Sequence, residues 1–141
     1  MDKRTHFAFS IAQILAVCAL LWFLFALPEP WDLQRKVGTA LVLVGVVGLA
    51  VARYQLGRSF AIRAEAHQLV TRGIYSRIRN PIYVSGTILI AGFVLIIHRP
   101  VGWLLVVVIV VMQTVRARRE ARVLETAFGD AYREYRRKTW F

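Results

Sequence analysis

Residues 67–86 read HQLVTRGIYSRIRNPIYVSG, a polar stretch punctuated by Gly73, Pro81 and Gly86. It lies between two pairs of apolar runs, so how it is read decides how the whole chain is laid out. Downstream, Ile82–Ile97 and Val101–Val115 are apolar for 16 and 15 residues and are joined only by His98-Arg99-Pro100. That spacing predicts a helical hairpin, with each arm short for a membrane span. The second arm is rich in valine, but a lone strand cannot satisfy its backbone in lipid, so helix is expected there. Upstream, Val37–Leu56 forms a second span, and Phe7–Leu27 a first one of 21 residues broken only by Ser10 and Gln13. At ~1.5 Å per residue a helix of that length is about 31 Å long, enough for a hydrocarbon core of about 30 Å. A signal peptide would have a shorter apolar region and a small-residue cleavage site, which Leu27-Pro28-Glu29-Pro30 does not offer. The prolines of Pro28–Lys36 make a polar connection between the first two spans. Gly38, Gly45 and Gly48 either admit another helix closely or reflect the general frequency of glycine in membrane helices.

The expectation is therefore an all-α, polytopic membrane bundle of about four spans in one domain, residues 1–141. Composition agrees with it: 57% of residues are hydrophobic, above the soluble range of roughly 45–50%, and the mean hydropathy is +0.52. The formal charge of +11 would by itself suit nucleic acid or anionic lipid. Its placement at the ends of the apolar runs selects the membrane and disfavours nucleic acid. A single cysteine, Cys18, excludes an intramolecular disulfide and a cysteine-based zinc site.

Beyond the fourth run, Arg116–Lys138 leaves the membrane as an amphipathic helix. Ala117, Ala121, Leu124, Phe128 and Tyr135 recur at helical spacing and form its apolar face. Gly129-Asp130 is expected to break it, with Asp130 capping a last short helix. Of the 19 lysines and arginines, only Arg35, Lys36 and Arg99 fall on the far side if four spans are threaded from a cytoplasmic N-terminus. That asymmetry places both termini in the cytoplasm. It also puts the 67–86 stretch and the Arg116–Gly129 patch on one side, where they can meet.

Two motifs in these segments resemble a known family. His67-x-Leu69-Val70-x-x-Gly73-x-Tyr75, followed by Arg79-Asn80-Pro81-x-Tyr83-x-x-Gly86, is similar to the signature of the isoprenylcysteine carboxyl methyltransferases and their phospholipid-methyltransferase-like relatives. Glu120-Ala121-Arg122-Val123-Leu124 with Phe128-Gly129, and then Tyr132-x-x-Tyr135, continue the likeness. Asn80 stands where the family usually has histidine, and Ala121 where it has a second glutamate. The resemblance implies S-adenosylmethionine as cofactor. It would be held by His67, Gln68, Leu69, Val70, Gly73, Tyr75, Arg79, Asn80, Pro81, Ile82, Tyr83 and Glu120. Arg116, with Glu120, would face the reacting acceptor. A bacterial inner membrane is the setting the resemblance suggests, with membrane lipids or a prenylated molecule as the partner.

The residue types suit those roles on physical grounds. Gly73 can adopt backbone angles closed to other residues, and Pro81 suits the first turn of a helix. The N–H groups of such a helix start favour an anion. Tyr75 and Tyr83 can flank an adenine or a ribose, or anchor at the interface. Arg116 and Glu120, four apart, share a helix face and can form a surface ion pair or a binding site. Glutamate accepts hydrogen bonds from amino or hydroxyl groups, and the arginine fork fits a carboxylate. No Walker loop, nucleophile elbow or His-Glu-x-x-His helix is present. The expected function is methyl transfer to a lipophilic acceptor, with carboxyl O-methylation of an isoprenylcysteine-like or related lipid foremost. An ionised carboxylate needs no general base. The rival is a non-enzymatic four-helix scaffold or small transporter subunit, favoured by the departures at Asn80 and Ala121.

Overall fold

A computed structural model of the chain describes residues 30–56 and 69–141, together with Ala19, Trp22 and Ala26. Two compact units are present, Met1–Asp32 and Leu33–Phe141. In the first, Ala19, Trp22 and Ala26 are helical, and the rest of the expected first span lies outside the described residues. The second unit holds all that follows. Among the described residues it is helical throughout: α1 (Leu33–Leu56), a 3-10 turn (Gly73–Ser76), α2 (Pro81–Ile97) and α3 (Gly102–Lys138).

α1 begins four residues before the expected Val37. Leu33, Gln34, Arg35 and Lys36, expected in a polar connection, form the first turn of the helix. They are good helix formers, and tertiary contacts hold them there. Gln34 Nε2 donates to the Leu95 carbonyl at 2.9 Å, and Arg35 is buried. Arg53 lies in the last turn of α1 and is exposed, where its charge complements the helix dipole. α1 has the length and hydropathy to cross a bilayer, whereas α2 is apolar but shorter.

α1 and α2 pack along their length because glycines let the two backbones nearly touch. A Cβ on Gly45 would fall 2.7 Å from the Leu89 backbone nitrogen, and one on Gly92 would fall 2.6 Å from the Gly38 carbonyl oxygen. Close approach, rather than mere compositional frequency, is therefore the reason for Gly38 and Gly45. Such small-residue contacts are how helices associate in lipid, where no hydrophobic force drives them together.

α2 starts at Pro81, fully buried at the first helical position. It ends at His98, whose left-handed angles (φ 54°) turn the chain and whose N–H bonds to the Leu95 carbonyl. α3 then returns in the expected hairpin, but it meets α2 far more loosely than α1 does. The fourth apolar run and the amphipathic helix are one continuous helix, because nothing between Val115 and Arg116 interrupts helical hydrogen bonding. Leu104, Val108, Val111, Met112 and Val115 make an exposed apolar stripe on it. A contiguous patch of that kind suits lipid rather than water.

The break falls at Gly129, with φ 51° and ψ −121°. Arg133 spans it, pairing with Glu125 at 2.9 Å and with Asp130 at 3.1 Å. The hydrogen bond to Glu125, with the charge of Asp130, raises the arginine's affinity for its proton. Past the break, Tyr132 and Tyr135 are buried. The Tyr135 hydroxyl donates to the Tyr75 carbonyl at 2.7 Å.

Candidate active site at the α2–α3 seam

The signature stretch is anchored from three directions before it reaches α2. Gly73 sits at φ +61° against the amide of Gln55, and Gln55 Oε1 accepts the Ile74 N–H at 2.7 Å. The Ser76 hydroxyl closes the turn on the Gly73 carbonyl. Tyr75 is enclosed with Ala52 and Leu56 of α1, and Val70, Ile74 and Ile82 pack around that cluster. From the other side comes a short parallel pairing with residues after α3. The Arg79 N–H donates to the Trp140 carbonyl, the Asn80 N–H to that of Phe141, and the Trp140 N–H to that of Arg77.

Asn80 caps α2 through its backbone: its carbonyl accepts the N–H of Tyr83 at 3.0 Å and of Val84 at 3.2 Å. Its side chain makes no capping bond. Arg79 is half-buried, and its Nε is buried with no hydrogen-bond partner among the described residues. A buried guanidinium nitrogen of that kind is costly unless an anion or water meets it.

One turn into α2, Tyr83 reaches across to α3. Its hydroxyl donates to Glu120 Oε1 at 2.5 Å, a short, charge-assisted bond between residues 37 apart in sequence. Arg116 Nε approaches the same oxygen at 3.3 Å, and its guanidinium lies 5.9 Å from the centre of the Tyr83 ring. The Arg116 side chain is 73% exposed and that of Glu120 only 22%, so the carboxylate is sheltered while the cation looks outward. Among the described residues Glu120 meets Arg116 through Nε, and the terminal amino groups point to no other carboxylate there.

A second rung lies one turn deeper. The Thr87 hydroxyl donates to Gln113 Oε1 at 2.8 Å and lies 3.0 Å from the Tyr83 carbonyl. Tyr83 and Thr87 on α2 thus face Glu120, Arg116 and Gln113 on α3 as a polar ladder at the mouth of an apolar hairpin.

Residues 33–131 match the phospholipid methyltransferase family. The chain belongs to that family. Over 137 residues this phospholipid methyltransferase-family protein is also 28% identical to Protein-S-isoprenylcysteine O-methyltransferase B of Arabidopsis thaliana, an alignment covering 92% of this chain and 69% of the relative. No solved structure matches it significantly. The family and this relative mark it as a membrane methyltransferase. Of the residues that carried the resemblance, Tyr83, Arg116 and Glu120 come together in one node. Arg79, Asn80 and Pro81 lie at the helix start beside it. Val70, Tyr75 and Ile82 pack into the α1 cluster, Leu69 is half-buried, and His67 and Gln68 fall outside the described residues. Gln55, Thr87 and Gln113 were not anticipated. A glutamine inside a helix carries no local signal, and only its partner reveals it.

Proposed function

We propose that this protein transfers a methyl group from S-adenosylmethionine to a lipophilic acceptor at the membrane interface. The acceptor group is a carboxylate of an isoprenylcysteine-like molecule or related lipid. The observation that carries this is the Tyr83–Glu120–Arg116 node, a sheltered carboxylate and an outward cation at the mouth of the hairpin. The rest of the site suits the cofactor. The orphaned Arg79 Nε and the start of α2 offer a place for its carboxylate. Glu120 can accept from its amino or hydroxyl groups, and Tyr83 presents a flat ring. Gly73 and the half-buried Leu69–Val70 backbone complete that side, with His67 and Gln68 assigned to it by the motif.

Bound there, S-adenosylmethionine supplies an electrophilic methyl group whose departure leaves a neutral thioether. Arg116 orients the acceptor carboxylate through its terminal amino groups, so that one oxygen lies in line behind that methyl. Alignment is the main task, because an ionised carboxylate needs no proton removed. The apolar flank of α3 keeps water from solvating the nucleophile. The proposal includes four membrane spans with both ends in the cytoplasm, so the cofactor enters from the cytosol and the acceptor from the bilayer.

The test is thermal unfolding of the detergent-purified protein with S-adenosylhomocysteine. A ligand that binds only the folded state raises apparent stability. A rise is expected in the wild type, none in Glu120→Ala, and a full rise with loss of turnover in Arg116→Ala. No shift at saturating ligand in the wild type rejects the proposal.

A further inference from the structure

We infer that Gln113 reads the acceptor: its side-chain amide donates a hydrogen bond to a carbonyl oxygen, of an ester or amide, carried by the acceptor about one helical turn deeper in the membrane than its methyl-accepting atom. The inference rests on the functional reading above and adds a chemical requirement to the acceptor.

Three observations converge on it. Gln113 lies on α3 three residues before Arg116, about 4.5 Å deeper along the helix axis, where a polar side chain within an apolar segment is costly and marks function. Its Oε1 is taken by the Thr87 hydroxyl at 2.8 Å. That bond orients the amide, and Nε2 has no hydrogen-bond partner among the described residues. Among the described residues Nε2 also borders a loosely packed stretch of the seam. Gly86 faces it across the seam, and a Cβ built on Gly86 would meet within 4 Å only Nε2 itself, at 3.8 Å. Elsewhere in this fold glycines are filled to contact by a neighbouring helix, as at Gly45 and Gly92. Gly86 instead meets no other atom of the described residues at that range, and the α2–α3 contact around it is loose.

An amide N–H at this depth selects its ligand by elimination. A cation cannot be bound by a donor. A second carboxylate at that depth would compete with the first for Arg116 and would bring another charge into an apolar segment. A neutral carbonyl oxygen fits, since it accepts one hydrogen bond and costs little to bring into lipid. Arg116 and Gln113 would then grip two points of one molecule, the charged end at the interface and the carbonyl below it, and so fix which atom lies behind the methyl group. Two sources offer this pattern: an ester-linked lipid with an acidic head, and an N-acylated prenylcysteine, whose amide carbonyl lies near its carboxylate.

The experiment measures binding, so it does not require turnover. Protein saturated with S-adenosylhomocysteine is titrated with matched carboxylate amphiphiles: a diacyl lipid and its ether-linked counterpart, and an S-prenylcysteine with and without its N-acyl carbonyl. In the wild type the carbonyl member of at least one pair should bind about tenfold tighter, the worth of one buried hydrogen bond. The pair that shows it identifies the source. Gln113→Leu should remove the preference while the shift in unfolding temperature induced by S-adenosylhomocysteine stays as in wild type. Gln113→Glu, which keeps the shape and loses the N–H donors, should remove it equally. Equal binding of both members in both pairs overturns the inference. So does a preference that survives in Gln113→Leu or Gln113→Glu. Absence of the S-adenosylhomocysteine shift in the wild type would instead reject the methyltransferase reading itself, a separate measurement.

Discussion

Tyr83→Phe removes one oxygen and keeps the ring, so any stacking on a bound adenine survives while the bond to Glu120 does not. The Glu120 carboxylate meets Tyr83 and Arg116 among the described residues, and the geometry of these two contacts ranks them. The Tyr83 hydroxyl lies 2.5 Å from Oε1, and the Glu120 side chain is only 22% exposed. A charge-assisted bond so placed contributes ~1.5–3 kcal/mol, and the remaining exposure argues for the lower end, about 1.5–2. The Arg116 contact is longer, at 3.3 Å, and its cation is 73% exposed, so it belongs with surface pairs of about 0–1 kcal/mol. Without Tyr83 the carboxylate must be ordered when the cofactor arrives, and that cost appears in affinity. The dissociation constant for S-adenosylhomocysteine, measured by titration calorimetry in detergent, should rise roughly 10- to 30-fold in Tyr83→Phe but less than about 5-fold in Arg116→Ala. Because Tyr83 acts through Glu120, adding Tyr83→Phe to Glu120→Ala should weaken binding no further, a strongly non-additive cycle. Unchanged affinity in Tyr83→Phe, an equal loss in Arg116→Ala, or additive losses in the double mutant would each refute this ranking.

Two further predictions concern the frame around the node. Gly45→Val places a side chain where a Cβ alone would lie 2.7 Å from the Leu89 backbone; overpacking of this kind costs about 1–3 kcal/mol and should lower the unfolding temperature without ligand, while Gly86→Ala, which meets only an ordinary contact, should leave it unchanged. Gly73→Ala forces an L side chain to φ +61° and into the Gln55 amide, at roughly 1–2 kcal/mol; its chief effect should be a weakened S-adenosylhomocysteine shift, and relieving the collision with Gln55→Ala should not restore binding, because Ile74 then loses its partner.

Most of the fold was legible because hydrophobic runs are local quantities. A stretch such as Ile82–Ile97, bounded by Pro81 and by a His98 that turns the chain, reports its own limits. Where such signals were weak the reading slipped. Nothing in Leu33–Lys36 announces that a polar turn continues into α1, since the Leu95 carbonyl that holds Gln34 lies 61 residues away.

The amino-acid sequence alone determined that this chain is helical and apolar, that its basic residues gather at the ends of the apolar runs, and that two polar segments carry a methyltransferase signature. These follow from composition and spacing, which need no knowledge of what touches what. Only the tertiary structure decided that Tyr83 meets Glu120, that Gln55 props the Gly73 turn, and that Gln113 faces an open Gly86. Each depends on how closely one helix crosses another, which is set by backbone approach at residues such as Gly45 and Gly92, and side chains far apart along the chain become partners only once that distance is fixed.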